Sequence, residues 1–178
     1  VSSADFIGFM GPDGDRDIGL SVFDGHPDIQ FRTLDEHSGE ILPAQIQNAH
    51  GLILATPTLT RQSLRQCGDF IAVGRFGVGY DSVDVTACTE ADVLLFITRG
   101  AVDYSMAEAT LLWMLALSHH LTAKDRLVRQ GQWDQRDLYM GTELRDRTLG
   151  LVGCGGIGRS VVQLCGGFGM KQPLVYDP

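Results

Sequence analysis

The chain has 178 residues, of which 44% are hydrophobic and 20% charged, and it carries a formal net charge of −8 at pH 7. An apolar fraction of this size is typical of globular proteins and excludes disordered and fibrous classes. The balance of 14 Lys and Arg against 22 Asp and Glu argues against nucleic acid or a membrane surface as a partner, since both bind basic faces.

Short runs rich in strand-forming residues recur through the first half of the chain. They lie at residues 6–10, 29–34, 51–56, 70–75 and 93–98. The third and fifth runs are continuously apolar, which is typical of parallel strands buried on both faces. Helices are predicted between the runs, at residues 41–49 and 84–91, with Asp81 placed to cap the second. This alternation predicts a doubly wound parallel sheet of the α/β class.

One long helix is predicted from Ser105 to about Arg129, ended by Gly131. Its apolar positions keep helical three-and-four spacing through Met106, Ala109, Leu112, Trp113 and Ala116. After a polar stretch, the alternation of strand and helix restarts at residues 148–152. The sequence therefore predicts two α/β units, residues 1–99 and residues 100–178, joined by a long helix.

The four cysteines, at positions 67, 88, 154 and 165, form no CxxC pair and have no His at zinc-ligand spacing. We therefore expect no metal site and a reduced, cytoplasmic protein. We also expect no secretory leader, since the first residues lack a charged segment followed by an apolar run and a cleavage site. The longest apolar run, residues 111–117, is about half the length of a membrane span and is expected to be a buried helix.

A glycine-rich hexapeptide, GCGGIG at residues 153–158, fits the pattern GxGxxG. An apolar strand precedes it and a predicted helix follows it. In such a loop Gly153 permits a tight turn, Gly155 lets the backbone approach a pyrophosphate, and Gly158 lets the helix pack closely on the strand. The start of the helix offers free N–H groups and a positive dipole end to the phosphates.

A second predicted strand ends in Asp177, 19 residues after Gly158. A carboxylate in this position can accept hydrogen bonds from both ribose hydroxyls of a dinucleotide, and it repels a 2′-phosphate. The pattern therefore predicts an NAD site rather than an NADP site. The alternative is a glycine-rich turn followed by an unrelated surface aspartate.

Four blocks in a fixed order carry a family resemblance: GRFGVGYDSVD at residues 74–84, MAE at 106–108, GQW at 131–133, and the strand-loop-helix-strand segment 149–177. On these blocks the chain resembles the D-isomer-specific 2-hydroxyacid dehydrogenases, which include phosphoglycerate dehydrogenase and glyoxylate/hydroxypyruvate reductase. The resemblance implies a flavodoxin-like substrate-binding domain, of which residues 1–99 are the N-terminal part. Residues 100–178 would then start a Rossmann-type NAD-binding domain.

The resemblance also implies substrate contacts in the first unit. Backbone N–H groups of Val78 and Gly79 are expected to hold the substrate carboxylate beside the nicotinamide, which makes Val78 a cofactor contact as well. A turn flanked by Gly77 and Gly79 can form such an anion-binding nest, although glycines also serve in plain turns. Arg75 is expected near an anionic substrate; the alternative is a solvated residue at the end of a strand.

In the second unit the resemblance implies that N–H groups of Gly156 and Ile157 meet the pyrophosphate and that Met106 packs on the nicotinamide. A core position on the helix is the alternative for Met106. The pair His119 and His120 is expected to be structural.

The sequence departs from the family pattern at several points. Gly156 stands where the family usually has Arg, and Arg99 and Val102 replace the usual Pro and Asn. The pair Gly166-Gly167 is predicted inside a helix at a cost of about 1 kcal/mol per glycine relative to alanine. Pro173 is expected at the start of a strand.

Hydride transfer to a 2-oxo acid needs an acid–base group and a cation on the carbonyl oxygen. The resemblance assigns these roles to an Arg, a Glu and a His that follow the strand ending in Asp177, so no catalytic residue is expected before Pro178. We therefore expect the N-terminal portion of a longer NAD-dependent D-2-hydroxyacid dehydrogenase, inactive by itself. An NAD(H)-sensing corepressor-like protein and an interaction fragment without a cofactor are the alternatives. The expected partners are a small 2-hydroxy or 2-oxo acid and a second copy of the chain, bound through the helix that carries Trp113.

Overall fold

A computed structural model describes residues 5–10, 19–34 and 39–178 of the chain. The chain forms two compact units, Val1–Arg99 and Gly100–Pro178. No helix among the described residues is long and apolar enough to cross a membrane.

The first unit contains a five-stranded parallel sheet. Its strands are β1 (Asp5–Met10), β2 (Ile29–Thr33), β3 (Gly51–Leu54), β4 (Ala72–Arg75) and β5 (Leu94–Ile97), in the spatial order β2-β1-β3-β4-β5. This is the order of flavodoxin-like doubly wound sheets. The predicted α/β class and the parallel sheet are therefore confirmed. The carboxyl ends of β3 and β4 meet at one edge, where Leu54 pairs with Arg75.

Two short helices and a 3-10 turn connect these strands: α1 (Pro43–Ile46), α2 (Val85–Glu90) and the 3-10 turn Leu20–Phe23. The predicted cap of α2 by Asp81 is wrong. The helix begins at Val85, so Asp84 is its N-cap, and the Asp84 carboxylate accepts the N–H of Ala87 at 2.8 Å. A side chain three residues before the donating N–H has the reach that capping needs.

The core of the first unit lies around β3 and β4. Ile41, Ile46, Leu52, Leu54 and Val73 are fully buried there. β5, an edge strand of the sheet, does not have the two buried faces that its apolar run predicted. Its Leu94 and Phe96 are more than half exposed, while Leu95 packs against the core. An apolar run therefore did not show whether both faces of the strand are covered.

The second unit contains two parallel strands and three helices. They are α3 (Asp103–Ser118), α4 (Leu121–Arg129), β6 (Thr148–Val152), α5 (Gly156–Cys165) and β7 (Lys171–Tyr176), with 3-10 turns at Trp133–Tyr139 and Gly166–Phe168. Ala107, Val161 and Cys165 form its small core, where α3 packs on α5.

The single long helix predicted from Ser105 is instead two helices. His120 has a left-handed backbone with φ +53° and separates α3 from α4. The N–H of Thr142 donates to the carbonyl of Ser118 at 2.8 Å, so a neighbouring segment takes an acceptor that a continuous helix would use for itself.

The buried face of α3 also differs from the predicted one. Ala107 is fully buried, and Leu111 and Met114 pack beside it against α5. Trp113 is 61% exposed and Leu112 58%. Because α3 is apolar on nearly all sides, spacing alone did not distinguish the packed face from the open one.

Two details around α5 and β7 correct the sequence predictions. α5 ends at Cys165, so Gly166 and Gly167 lie in a 3-10 turn rather than inside the helix. Pro173 lies within β7 rather than at its start. The register between β6 and β7 shifts between Thr148 and Gly150, and this irregularity accommodates the proline.

Candidate functional site

The hexapeptide at residues 153–158, here called the glycine loop, connects β6 to α5. Gly153 has φ +89°, and its N–H donates to the carbonyl of Tyr176 at 2.8 Å. Gly155 is the N-cap of α5 and Gly156 its first residue. The loop therefore turns the chain directly from the end of one strand into a helix while it remains bonded to the neighbouring strand.

Gly158 packs against the turn that precedes it. A Cβ built at this position would lie 2.5 Å from the carbonyl oxygen of Gly153 and 3.2 Å from Cδ2 of Leu151. The obstacle is backbone, which cannot move aside as a side chain can. The third glycine of the pattern is therefore required for the close approach of α5 to β6.

The amino-terminal end of α5 is open for a ligand. No side chain of the described residues caps it, and the first N–H groups of any helix lack partners within the helix. These donors lie on Gly156, Ile157 and Gly158, at the positive end of the helix dipole. The arrangement can bind a phosphate through backbone groups alone.

Asp177 closes the opposite side of the loop. Its Oδ2 accepts the N–H of Cys154 at 3.1 Å, which holds the carboxylate at the end of β7 beside the glycine loop. This is where the sequence pattern predicts the ribose contact.

Arg159 is a loop contact that the sequence reasoning missed. Its Nη1 donates to the carbonyl of Cys154 at 3.1 Å, so a cation from the first turn of α5 holds the loop from the helix side. A basic residue directly after the last glycine of the pattern is the signal that could have indicated it.

The first unit has a second glycine turn, residues 75–79 at the end of β4, here called the arginine turn. Gly77 has φ +149°, and its N–H donates to the carbonyl of Arg75 at 2.8 Å. The N–H groups of Val78 and Gly79 donate to no acceptor within the described part of the chain. Two consecutive free donors on a turn can hold a carboxylate.

Arg75 folds back over this turn. Its guanidinium donates from Nη1 to the carbonyl of Phe76, and a Cβ on Gly77 would overlap it. The Nε of Arg75 is buried and lacks a hydrogen-bond partner among the described residues. A positive charge with an unused donor therefore lies beside the two free N–H groups.

The remaining predicted residues lie elsewhere in the second unit. Met106 is 41% exposed on α3 and lies outside the small core. His119 abuts Gly141, and the ring of His120 contacts that of Tyr139 edge-on at 6.1 Å between centroids. Both histidines therefore help to build the junction between α3 and α4.

Neither the two buried thiols nor the metal-ligating side chains of the described residues form a further reactive or metal-binding site. Burial raises the pKa of the Cys165 thiol, and burial with the nearby charge of Asp84 raises that of Cys88, so both thiols stay protonated at neutral pH. In the described ranges, no group of three or more His, Cys, Asp or Glu side chains could hold a metal ion.

The glycine loop connects a strand to an uncapped helix, and a second parallel strand ends in a carboxylate beside it. This arrangement is that of a dinucleotide-binding domain of the Rossmann type. The comparisons with known proteins agree. Residues 111–178 match the family model described as D-isomer specific 2-hydroxyacid dehydrogenase, NAD binding domain. Residues 111–178 thus match the NAD-binding domain of the D-isomer-specific 2-hydroxyacid dehydrogenase family, and NAD is the cofactor that this match supports.

Among the relatives, D-3-phosphoglycerate dehydrogenase of Rattus norvegicus is 37% identical over 142 residues, which are 79% of this chain and 26% of the relative. The chain thus spans about a quarter of the length of that curated relative. Among the solved structures, NAD+-bound 3-phosphoglycerate dehydrogenase of Entamoeba histolytica matches with a TM-score of 0.78 and 23% sequence identity. The match covers 98% of this chain and 54% of the chain of that structure. D-lactate dehydrogenase of Aquifex aeolicus, in complex with NAD and lactic acid, has TM-score 0.81 and 22% identity, covering 97% of this chain and 51% of its own. The two solved structures show the shared fold.

Proposed function

We propose that this chain is part of an NAD-dependent oxidoreductase that transfers a hydride between the nicotinamide and a D-2-hydroxy acid/2-oxo acid pair. The observation that carries the proposal is the bond from Cys154 N–H to Asp177, which holds a carboxylate beside the open end of α5. In this proposal residues 100–178 start the NAD-binding domain, and residues 1–99 are the N-terminal part of the substrate-binding domain.

The glycine loop would hold the cofactor through its backbone. Gly153 and Gly155 shape the turn, N–H groups of Gly156 and Ile157 donate to the pyrophosphate, and Gly158 keeps the helix close. Bound NAD supplies the hydride chemistry, since its nicotinamide ring accepts or releases the hydride.

Two further contacts complete the proposed cofactor site. Asp177 accepts from the ribose hydroxyls and, by its charge, disfavours a 2′-phosphate. Met106 and Val78 are proposed to contact the nicotinamide, for which the exposure of Met106 leaves its side chain accessible.

The arginine turn would bind the acid substrate. N–H groups of Val78 and Gly79 are free to donate to its carboxylate, and the Arg75 guanidinium adds a positive charge beside them. These contacts orient and hold the substrate anion. The acid–base group and the cation on the reacting oxygen are not assigned to residues of this chain.

We also propose that the protein forms a homodimer through the open side of α3 and α4. Exposed apolar side chains follow this side at Leu112, Trp113, Leu117, Leu121 and Val128. An apolar surface of this kind is commonly an interaction site. Gel filtration at two protein concentrations tests it: a Trp113→Glu variant is expected to elute as the monomer where the unchanged protein elutes as the dimer.

A cytoplasmic location is part of the proposal. It is supported by the four cysteines, which are all free thiols.

The activity is tested by NADH oxidation, followed at 340 nm, with glyoxylate, hydroxypyruvate and related 2-oxo acids and the full-length enzyme. The proposal is supported if the unchanged enzyme reduces one of these acids and variants at Val78 and Arg75 reduce it more slowly. NADH binding without turnover on the whole panel would support the corepressor-like function instead. Absence of NADH binding would contradict both functions.

A further inference from the structure

The carboxylate of Asp103 lies against the first residue of α5. A Cβ built on Gly156 would overlap this carboxylate, with Cγ at 2.5 Å and Oδ1 at 3.0 Å. Asp103 is itself the first residue of α3, so one negative group lies at the amino-terminal ends of two helices. Helix dipoles and free N–H groups stabilise a negative charge in such a position.

Among the described residues, no counterion pairs with this carboxylate. Asp103 is half-buried, and no hydrogen bond or ion pair with another described residue engages its oxygens. The two helix ends are therefore the favourable surroundings that the described contacts give this charge. Since the open end of α5 is the phosphate position of the glycine loop, the side chain lies where it meets an incoming dinucleotide.

We propose that Asp103 sets the affinity of the glycine loop for its cofactor by opposing the negative charge of the pyrophosphate. The inference rests on the proposed binding of NAD at this loop. Two like charges within several ångströms repel each other strongly where the surroundings are partly dry. The chain therefore binds dinucleotides more weakly than its backbone donors alone would allow. A side chain at position 156 would have to displace this carboxylate, so glycine there leaves the space that Asp103 fills.

The proposal predicts a gain of affinity on removal of the charge. Asp103→Asn keeps the shape of the side chain, and the variant is expected to bind NADH roughly tenfold more tightly. ADP-ribose, which has the same pyrophosphate and lacks the nicotinamide, is expected to gain by the same factor. The gain should shrink in about 0.5 M KCl, because salt screens the repulsion in the unchanged protein.

Two further measurements separate this role from a general effect of charge or folding. Asp134→Asn removes the same charge from an exposed site in the 3-10 turn Trp133–Tyr139, outside the glycine loop, and is expected to leave NADH affinity unchanged. Without ligand, Asp103→Asn is expected to lower Tm by about 2 °C, because the charge stabilises the helix ends. Weaker folding together with tighter binding is a result that a purely structural aspartate would not give.

Equal or weaker NADH binding by Asp103→Asn, while the unchanged protein binds NADH, overturns this inference and leaves the proposed function standing. Equal gains for Asp103→Asn and Asp134→Asn also overturn it, because net charge alone then accounts for the effect. Absence of NADH binding by the unchanged protein and by both variants overturns the proposed cofactor site and this inference with it.

Discussion

The arginine turn of the first unit and the glycine loop of the second use the same backbone arrangement, but the side chain that lies against one glycine of each carries a charge of opposite sign. Each follows a parallel strand, includes a glycine with positive φ, and presents N–H groups without partners among the described residues. Beside Gly77 lies the guanidinium of Arg75, whereas beside Gly156 lies the carboxylate of Asp103.

This difference teaches that a glycine pattern predicts where an anion binds but not how tightly. Backbone donors are common to both turns, and the neighbouring charge comes from a side chain that the pattern does not include. On the proposed assignment the arginine turn attracts the acid substrate with an added cation. The glycine loop holds the cofactor against an added anion, which suits a cofactor that must leave after each turnover.

The largest expected effect is on the glycine loop. In Gly158→Ala the new Cβ meets the carbonyl oxygen of Gly153, so α5 must shift away from β6. Overpacking of this kind costs about 1–3 kcal/mol of unfolding free energy, and NADH affinity should fall at least roughly tenfold as the helix donors move. Urea unfolding and an NADH titration measure the two effects.

Gly166→Ala is the matched control for that variant. A Cβ at Gly166 meets no atom within 4 Å, and its φ of −56° suits alanine. A gain of about 0.5 kcal/mol in unfolding free energy is expected. Equal losses in the two variants would contradict the close packing assigned to Gly158.

The arginine turn should respond to Gly77→Ala for a different reason. The φ of +149° is unfavourable for alanine, and the Cβ would also displace the Arg75 guanidinium. Strained backbone of this kind costs about 1–3 kcal/mol, and KM for the 2-oxo acid should rise as the guanidinium moves.

Gly74→Ala, in the strand β4 that precedes the turn, provides the comparison. Its Cβ would have its nearest neighbour, the carbonyl of Leu52, at 4.0 Å. Unfolding free energy should change by less than about 0.5 kcal/mol. If Gly77→Ala changes the unfolding free energy as little as Gly74→Ala does, the backbone strain and the close contact assigned to Gly77 are contradicted.

The smallest effect concerns thiol reactivity. Cys154 lies half-buried in the glycine loop, and Cys67 is half-buried in the first unit. Saturating NADH should slow alkylation of Cys154 by iodoacetamide roughly fivefold or more and leave Cys67 unchanged, because protection follows access to the thiolate. Peptide mass spectrometry measures both rates, and equal protection of the two cysteines would argue against a ligand at the loop.

Much of this arrangement could be predicted from the sequence because it depends on local pattern. The parallel strands, the glycine loop and the helix after it follow from runs of apolar residues and glycines. The sequence predicted Asp81 as the cap of α2, but the cap is Asp84. The identity of the cap depends on the exact residue at which the helix begins, which the pattern does not fix. The break at His120 depends on a bond from Thr142 to Ser118, which helical spacing does not reveal.

The sequence allowed one of the two charges beside the turns to be predicted, but not the other. Arg75 lies only two residues before Gly77 in the sequence and was predicted near the substrate. Asp103 and Gly156 are far apart in the chain, and they meet because α3 packs on α5. Tertiary packing decides such a contact, so the sequence pattern contained no signal for it.

A fluorescence titration of the protein with NADH, and then with NADPH, tests whether the glycine loop and Asp177 form an NAD site. We expect saturable NADH binding and NADPH binding at least about tenfold weaker, because the Asp177 carboxylate repels the 2′-phosphate. Equal affinity for the two cofactors, or binding of neither, would contradict an NAD site there.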